Sequence, residues 1–285
     1  MSFKFNRKKL ICLLALFVAA VIAAAASLAY AYRGGIPVLN YHQINSKDHN
    51  SLTVSTEQFA AQMDYLAENG YHTITPDEMA DALENGTELP DNPILITFDD
   101  GYLDNYKNAF PILKQHDMTA TIFLITDYVS TYPNYLTWDQ SKEMQDSGIV
   151  LQSHTLSHVD LKPLSHEDML YQLKTSKEAL EWHLQNKVHY LAYPCGSYDA
   201  SVMEATREAG YRGAFTVNYG LDYCGSQMYA LNRIPIFGGN SHTMLRFKMR
   251  LSMAPLVSSL EHFKTRLNKN GHTSLAAMIP IKISS

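Results

Sequence analysis

A chain of 285 residues is long for one small domain and ordinary for a single α/β barrel. Its three cysteines, Cys12, Cys195 and Cys224, show no CxxC spacing, which argues against a cysteine zinc site or a disulfide framework, although Cys195 and Cys224 could form one pair. Residues 32–240 carry 12 basic and 27 acidic side chains, net −15, and so acidic a body argues against nucleic acid as a partner.

Lys8 and Lys9 close a basic segment, 1–9, and an uncharged run follows over 10–32. As a helix that run spans about 34 Å, enough for a bilayer. Basic residues before it and acid-rich chain after it predict the N-terminus inside and the body outside. An uncleaved anchor competes with a signal peptide cut after Ala31, and the run's length favours the anchor. The chain thus divides into a basic segment (1–9), a membrane segment (10–32), a body (33–240) and a basic tail (241–285).

Residues 36–42 read as a short strand with a polar end. Ser55 and Gln58 resemble a capping box, and Phe59, Met63 and Leu66 follow at helical spacing up to Gly70. A strand over 71–75 leads to a helix over 76–85, begun by Pro76 and stopped by Gly86. Residues 94–98 are apolar enough to be a strand buried on both faces. A helix over 102–116 is interrupted near Pro111. Further strands are predicted over 119–125, 149–153, 188–193 and 211–217, and helices over 137–147, 165–186 and 200–209. About seven strands alternating with helices imply a parallel sheet, and a barrel is favoured over an open sheet. In either case the C-terminal strand ends carry the chemistry.

The strand at 94–98 runs into Asp99-Asp100-Gly101. Two charges cannot stay unpaired in a dry core, so these residues belong at the mouth of the fold. Adjacent carboxylates both ionise readily only beside a cation. That suggests one acid holding a metal and the other placed for proton transfer; the same residues also suit a plain turn. The strand at 149–153 ends in His154-Thr155-Leu156-Ser157-His158. Extended, the two imidazoles would stand about 13 Å apart; on a helical turn they share a face. A lone HxxxH is more often a pair of surface or core histidines than a metal site. Here both motifs follow strands whose ends open on one face, and one carboxylate with two imidazoles is a three-ligand set with a position left for water. The strand ending at Tyr193 meets Pro194-Cys195-Gly196, a sharp turn that can aim a backbone N–H at an oxyanion.

Together, Thr97-Phe98-Asp99-Asp100-Gly101, the His154–His158 segment and Tyr193-Pro194-Cys195-Gly196 resemble the polysaccharide deacetylase family, the NodB-homology carbohydrate esterases. Leu39-Asn40-Tyr41-His42 is similar to the strand that opens the domain in its exopolysaccharide and peptidoglycan members. The resemblance covers about 36–237. It implies a distorted (β/α)7 TIM-like barrel, with Asp100, His154 and His158 holding a divalent metal, usually zinc. It further implies Asp99 as general base, the Cys195 N–H as oxyanion donor, and Tyr193, Pro194 and His42 against the substrate. That substrate would be an N-acetylglucosamine unit of a cell-surface polysaccharide, losing acetate. Two departures stand out. Ala192 occupies the place of an arginine that often braces the base, and Arg233 is the candidate substitute. The family's late Leu-x-His, a general acid, is not recognisable; His242 and His42 are the candidates. A catalytically weak or inactive glycan-binding relative is the alternative expectation.

Tyr102, Tyr106, Tyr128, Tyr132 and Trp138 are candidates for stacking on sugar rings. In the tail, alternation over 245–253 predicts a strand with one basic face. Leu256, Leu260, Phe263 and Leu267 then suggest an amphipathic helix. These are either wet capping elements or a surface that docks on anionic lipid or cell-wall polymer.

Overall fold

The computed structural model describes residues 34–238 and 244–277, together with Leu14, Val18 and Ala19. Residues 1–9, the rest of the predicted membrane segment and His242 lie outside the described residues. Among the described residues no helix is long and apolar enough to cross a membrane. The chain divides into two compact units, one built on residues 36–254 and the other taking in 255–281.

Among the described residues ten strands form in chain order: β1 (Val38–Tyr41), β2 (Gln43–Ile44), β3 (Thr53–Val54), β4 (His72–Thr73), β5 (Pro93–Phe98), β6 (Thr121–Leu124), β7 (Val150–Ser153), β8 (Tyr190–Ala192), β9 (Gly213–Tyr219) and β10 (Leu231–Pro235). The helices between and after them are α1 (Thr56–Glu68), α2 (Pro76–Asn85), α3 (Phe110–Gln115), α4 (Trp138–Asp146), α5 (His166–Leu184), α6 (Ala200–Glu208), α7 (Met244–Lys269) and α8 (Thr273–Ala277). Seven strands, β1, β5, β6, β7, β8, β9 and β10, pair in parallel around a closed ring. β1 closes it, with Leu39 opposite Ile96 of β5 on one side and Ile234 of β10 on the other.

The ring strands are short and almost wholly buried because both their faces are covered. Val38, Leu95, Phe123, Ala192, Phe215 and Leu231 share one core cluster, onto which α2 packs Met79, Ala80 and Leu83. α1 covers β1 and β5 from outside: the Phe59 ring meets Tyr41 edge-on at 5.3 Å and Phe98 at 5.7 Å. Local signals set the helix ends. Thr75 and Glu78 form a reciprocal capping box at the start of α2, and Gly86 closes it in the left-handed conformation.

The strand expected at 71–75 exists, but β4 pairs only with the first residues of β5 and stands outside the ring. The seventh ring strand is instead β10, Leu-Asn-Arg-Ile-Pro, whose two polar residues hide the strand pattern. The tail strand expected at 245–253 is corrected: those residues are helical, within α7. Phe247, Leu251 and Ala254 are buried at helical spacing, while Leu245, Met249 and Met253 are exposed. Phe247 packs edge-on against Tyr65, and the Arg250 guanidinium donates to the Pro235 carbonyl at 2.6 Å. Lys248 lies over the Tyr65 ring at 4.5 Å and Arg250 over Phe237 at 5.2 Å, so two of the basic residues are engaged by the domain itself.

Gly101 has φ +76°, and a Cβ there would stand 2.5 Å from Leu124 Cδ2. Gly101→Ala is therefore expected to lower unfolding free energy by about 1–3 kcal/mol, from left-handed strain plus overpacking. Urea unfolding checks this; an unchanged midpoint would contradict the close packing of the turn after β5.

Candidate active site

β5 delivers Asp99 to the rim, where its backbone N–H donates to the Tyr41 carbonyl at 2.9 Å. Asp100 and Gly101 then both take positive φ, +74° and +76°, and turn the chain sharply. The two adjacent acids consequently meet different surroundings.

Asp99 is clamped by protein. Arg233 Nη1 donates to Oδ1 at 2.7 Å and Nη2 to Oδ2 at 2.8 Å, a bidentate pair. Asn40 Nδ2 adds a third bond to Oδ2 at 3.0 Å. Arg233 is fully buried, and its Nε donates to the Thr216 carbonyl at 2.6 Å. Burial alone would push the Asp99 carboxyl upward; the Arg233 guanidinium, with His154 and His42, reverses this and holds it well below the usual carboxylate range.

Asp100 faces histidines. Its Oδ1 lies 3.4 Å from His154 Nε2 and 3.4 Å from His158 Nε2, and it is buried without a hydrogen-bond partner. The three donor atoms lie within 4.8 Å of one another. His154 Nδ1 is 2.8 Å from the Ala192 carbonyl, so it donates there and leaves the Nε2 lone pair toward Asp100. Burial, then the neighbouring His154, lowers the pKa of His158. In His154 burial also works downward, but the neighbouring carboxylates of Asp100 and Asp99 raise it overall. Asp100 itself is pushed up by burial and brought lower by His154.

The histidines do not share a helical turn, as one expectation had it. Residues 154–158 form a tight loop in which Thr155 (φ +66°) and His158 (φ +59°) are left-handed. The Thr155 hydroxyl accepts from the His158 N–H at 3.1 Å and folds the loop back, bringing the two rings to 4.7 Å.

Asn40, His42, Asp99, Asp100, His154, His158, Tyr193 and Cys195 line one cavity of about 230 Å³, with Leu52, Val217 and Phe237 as apolar walls. His42 Nε2 is 3.9 Å from Asp99 Oδ2, and burial lowers its pKa. Pro194–Gly196 is one short turn with Cys195 at φ +55°; Pro194 is buried within it and does not line the cavity. The Tyr193 hydroxyl is committed to the Tyr229 carbonyl at 3.0 Å, so its ring is a wall. Cys195 and Cys224 are free and exposed. Asn40 was legible only as part of a strand; a polar residue in a buried strand is the signal that it serves a partner. Of the aromatic candidates, Trp138 stacks on His183 at 3.9 Å and Tyr106 donates to Glu143 at 2.6 Å.

The chemistry of the donor set fits a metal. Ligands about 2.0–2.1 Å from a tetrahedral zinc stand about 3.4 Å apart, the spacing of Asp100 Oδ1 from each imidazole. A buried carboxylate oxygen without a donor, facing two imidazole nitrogens, is the atom a cation would satisfy.

The sequence model of the family described as polysaccharide deacetylase matches residues 86–214. YxkH of Bacillus subtilis, a polysaccharide deacetylase by name, is 36% identical over 206 residues, covering 72% of this chain and 73% of that protein. The poly-β-1,6-N-acetyl-D-glucosamine N-deacetylase of Staphylococcus epidermidis is 26% identical over 238 residues, 73% of this chain and 81% of that one. Among solved structures, the Streptococcus pyogenes deacetylase PplD in complex with acetate superposes with a TM-score of 0.70 at 30% identity, covering 77% of this chain and 97% of that one.

Arg233→Met is expected to cost about 3–5 kcal/mol of stability at neutral pH, because a buried carboxylate loses its partner. The Asp99 increment is present above the unfolded carboxyl value, about 3.9, and is lost as pH falls through its lower folded value. The difference between wild type and variant should therefore narrow on acidification. Denaturant unfolding at pH 7 and near pH 3 checks this; a constant difference would mean that Asp99 is not held by the arginine.

Proposed function

The chain belongs to the polysaccharide deacetylase family, a family of deacetylating hydrolases, and on that footing we propose that it removes acetyl groups from N-acetylglucosamine units of a cell-surface polysaccharide with the help of a divalent metal. One observation carries the reading: the orphaned Oδ1 of Asp100 facing two imidazole nitrogens, next to a second acid held ionised by arginine. Poly-N-acetylglucosamine is the preferred substrate, supported by the Staphylococcus epidermidis relative that acts on that polymer by its name; peptidoglycan is the other. The apolar run at 10–32 ahead of an acidic body supports an enzyme anchored at the outer face of the membrane.

Asp100, His154 and His158 would hold the metal, and zinc suits that set; when bound it supplies Lewis acidity, polarising a carbonyl and easing the ionisation of water. Asp99, kept ionised by Arg233 and oriented by Asn40, accepts a proton from the attacking water. The water oxygen adds to the acetamide carbon, and the Cys195 N–H stabilises the oxyanion. His42, 3.9 Å from Asp99, relays the proton to the sugar nitrogen. The C–N bond then breaks, acetate leaves, and a free amine remains on the sugar. Leu52, Val217 and Phe237 give the acetyl methyl an apolar wall.

The test is acetate release from β-1,6- and β-1,4-linked N-acetylglucosamine pentamers. Chelation should abolish it and zinc restore it. Asp99→Asn should lower kcat by about 10²–10⁴ while keeping the metal, and His154→Ala should lose metal as measured by elemental analysis. Equal rates in chelated protein or in Asp99→Asn would overturn the reading; oligomer binding with no acetate would favour the glycan-binding alternative.

A further inference from the structure

Four tyrosines form one cluster: Tyr102, two residues after Asp100, and Tyr128, Tyr132 and Tyr135 of the loop between β6 and α4. Tyr102 and Tyr135 stack with ring centroids 5.0 Å apart and are joined by an antiparallel bridge. Tyr128 meets Tyr135 edge-on at 4.9 Å, and Tyr132 meets Tyr128 edge-on at 4.9 Å. Tyr102 follows Asp100 by two residues, so the cluster starts beside the candidate metal site and runs outward to Tyr132, which is 51% exposed.

The loop that carries Tyr128, Tyr132 and Tyr135 is tied to both candidate ligand-bearing segments through its backbone. Leu136 N–H donates to the Gly101 carbonyl at 3.0 Å, and Leu103 N–H to the Asn134 carbonyl at 2.9 Å. At its other end Thr126 N–H donates to the Thr155 carbonyl at 3.2 Å, and Asp127 N–H to the Leu156 carbonyl at 2.9 Å. A half-exposed tyrosine is common by itself. One braced edge-on by a neighbouring ring, on a loop hydrogen-bonded to both ligand-bearing segments, is a preorganised apolar platform with a polar tip. Such a surface suits the apolar face of a pyranose while its hydroxyl reaches the ring substituents.

We infer that Tyr132, backed by Tyr128 and Tyr135, is a subsite that stacks a sugar of the polymer neighbouring the one being deacetylated, and so sets a preference for chains over single units. The inference rests on the proposed deacetylation of an N-acetylated glycan and adds where the rest of the chain lies. It also predicts that binding energy is gathered remote from the reacting bond.

The experiment compares N-acetylglucosamine dimer and pentamer. In wild type kcat/KM should rise with length. Tyr132→Ala should cut the pentamer-to-dimer ratio about ten-fold, mainly through KM, and Tyr132→Phe should restore most of it. Trp182→Ala, an exposed aromatic on α5, should keep the wild-type ratio. In parallel, calorimetric titration of the pentamer into Asp99→Asn, with and without Tyr132→Ala, should show about ten-fold weaker binding in the double variant. Unchanged length dependence and unchanged pentamer affinity on loss of the ring would overturn the subsite. Absence of acetate release from wild type would count against the deacetylase reading alone, because the titration still reports on the ring.

Discussion

A buried bidentate ion pair between Asp99 and Arg233 is the constraint around which the mouth of the barrel is arranged. Its members come from β5 and β10, and β1, which carries Asn40, lies between those strands and pairs with both. Polar side chains from three adjacent strands thus meet in one place. Neither charge would tolerate that position alone, since an unpaired buried ion costs several kcal/mol. Two guanidinium bonds, the Asn40 amide and the Thr216 carbonyl together satisfy both groups. The cost of burial is thereby offset, and the result is a carboxylate whose orientation cannot drift.

That clamp also explains how two consecutive aspartates coexist. Adjacent carboxylates repel, and a fold that buries both must give each its own compensation. Asp99 receives a cation from the protein. Asp100, swung aside by two left-handed residues, faces two imidazoles whose lone pairs and protons depend on pH and on a partner. The site is thus complete on one side and open on the other, and the open side is the one with metal-ligand chemistry. Ala192 contributes through its backbone, its carbonyl orienting His154. The guanidinium that holds Asp99 comes from Arg233.

Much of the architecture was legible. Alternating strand and helix signals implied a parallel barrel, and the closed seven-stranded ring agrees with that expectation. The count agreed partly by compensation: β4 read as a ring strand and stands outside it, whereas β10 was unread. Asn232 and Arg233 interrupt its apolar pattern, and only the partner across the barrel makes a buried arginine sensible there. The tail erred differently. Apolar residues alternating with lysine and arginine over 245–253 satisfy a strand period, but Phe247, Leu251 and Ala254 satisfy a helical one as well, and packing on Tyr65 selects it.

The linear chain by itself determined the kinds of donor and their order: two acids at one strand end, two histidines at another, a Pro-Cys-Gly turn at a third. These follow from local physics, because a charge must leave a buried strand where the strand ends. Only the tertiary structure decided which acid is clamped and which is left for a cation, and how the histidines converge. Those outcomes depend on a left-handed Thr155 and on an arginine 134 residues from its partner. No periodicity reports such features, since they are stabilised by contacts that exist only once the ring has closed.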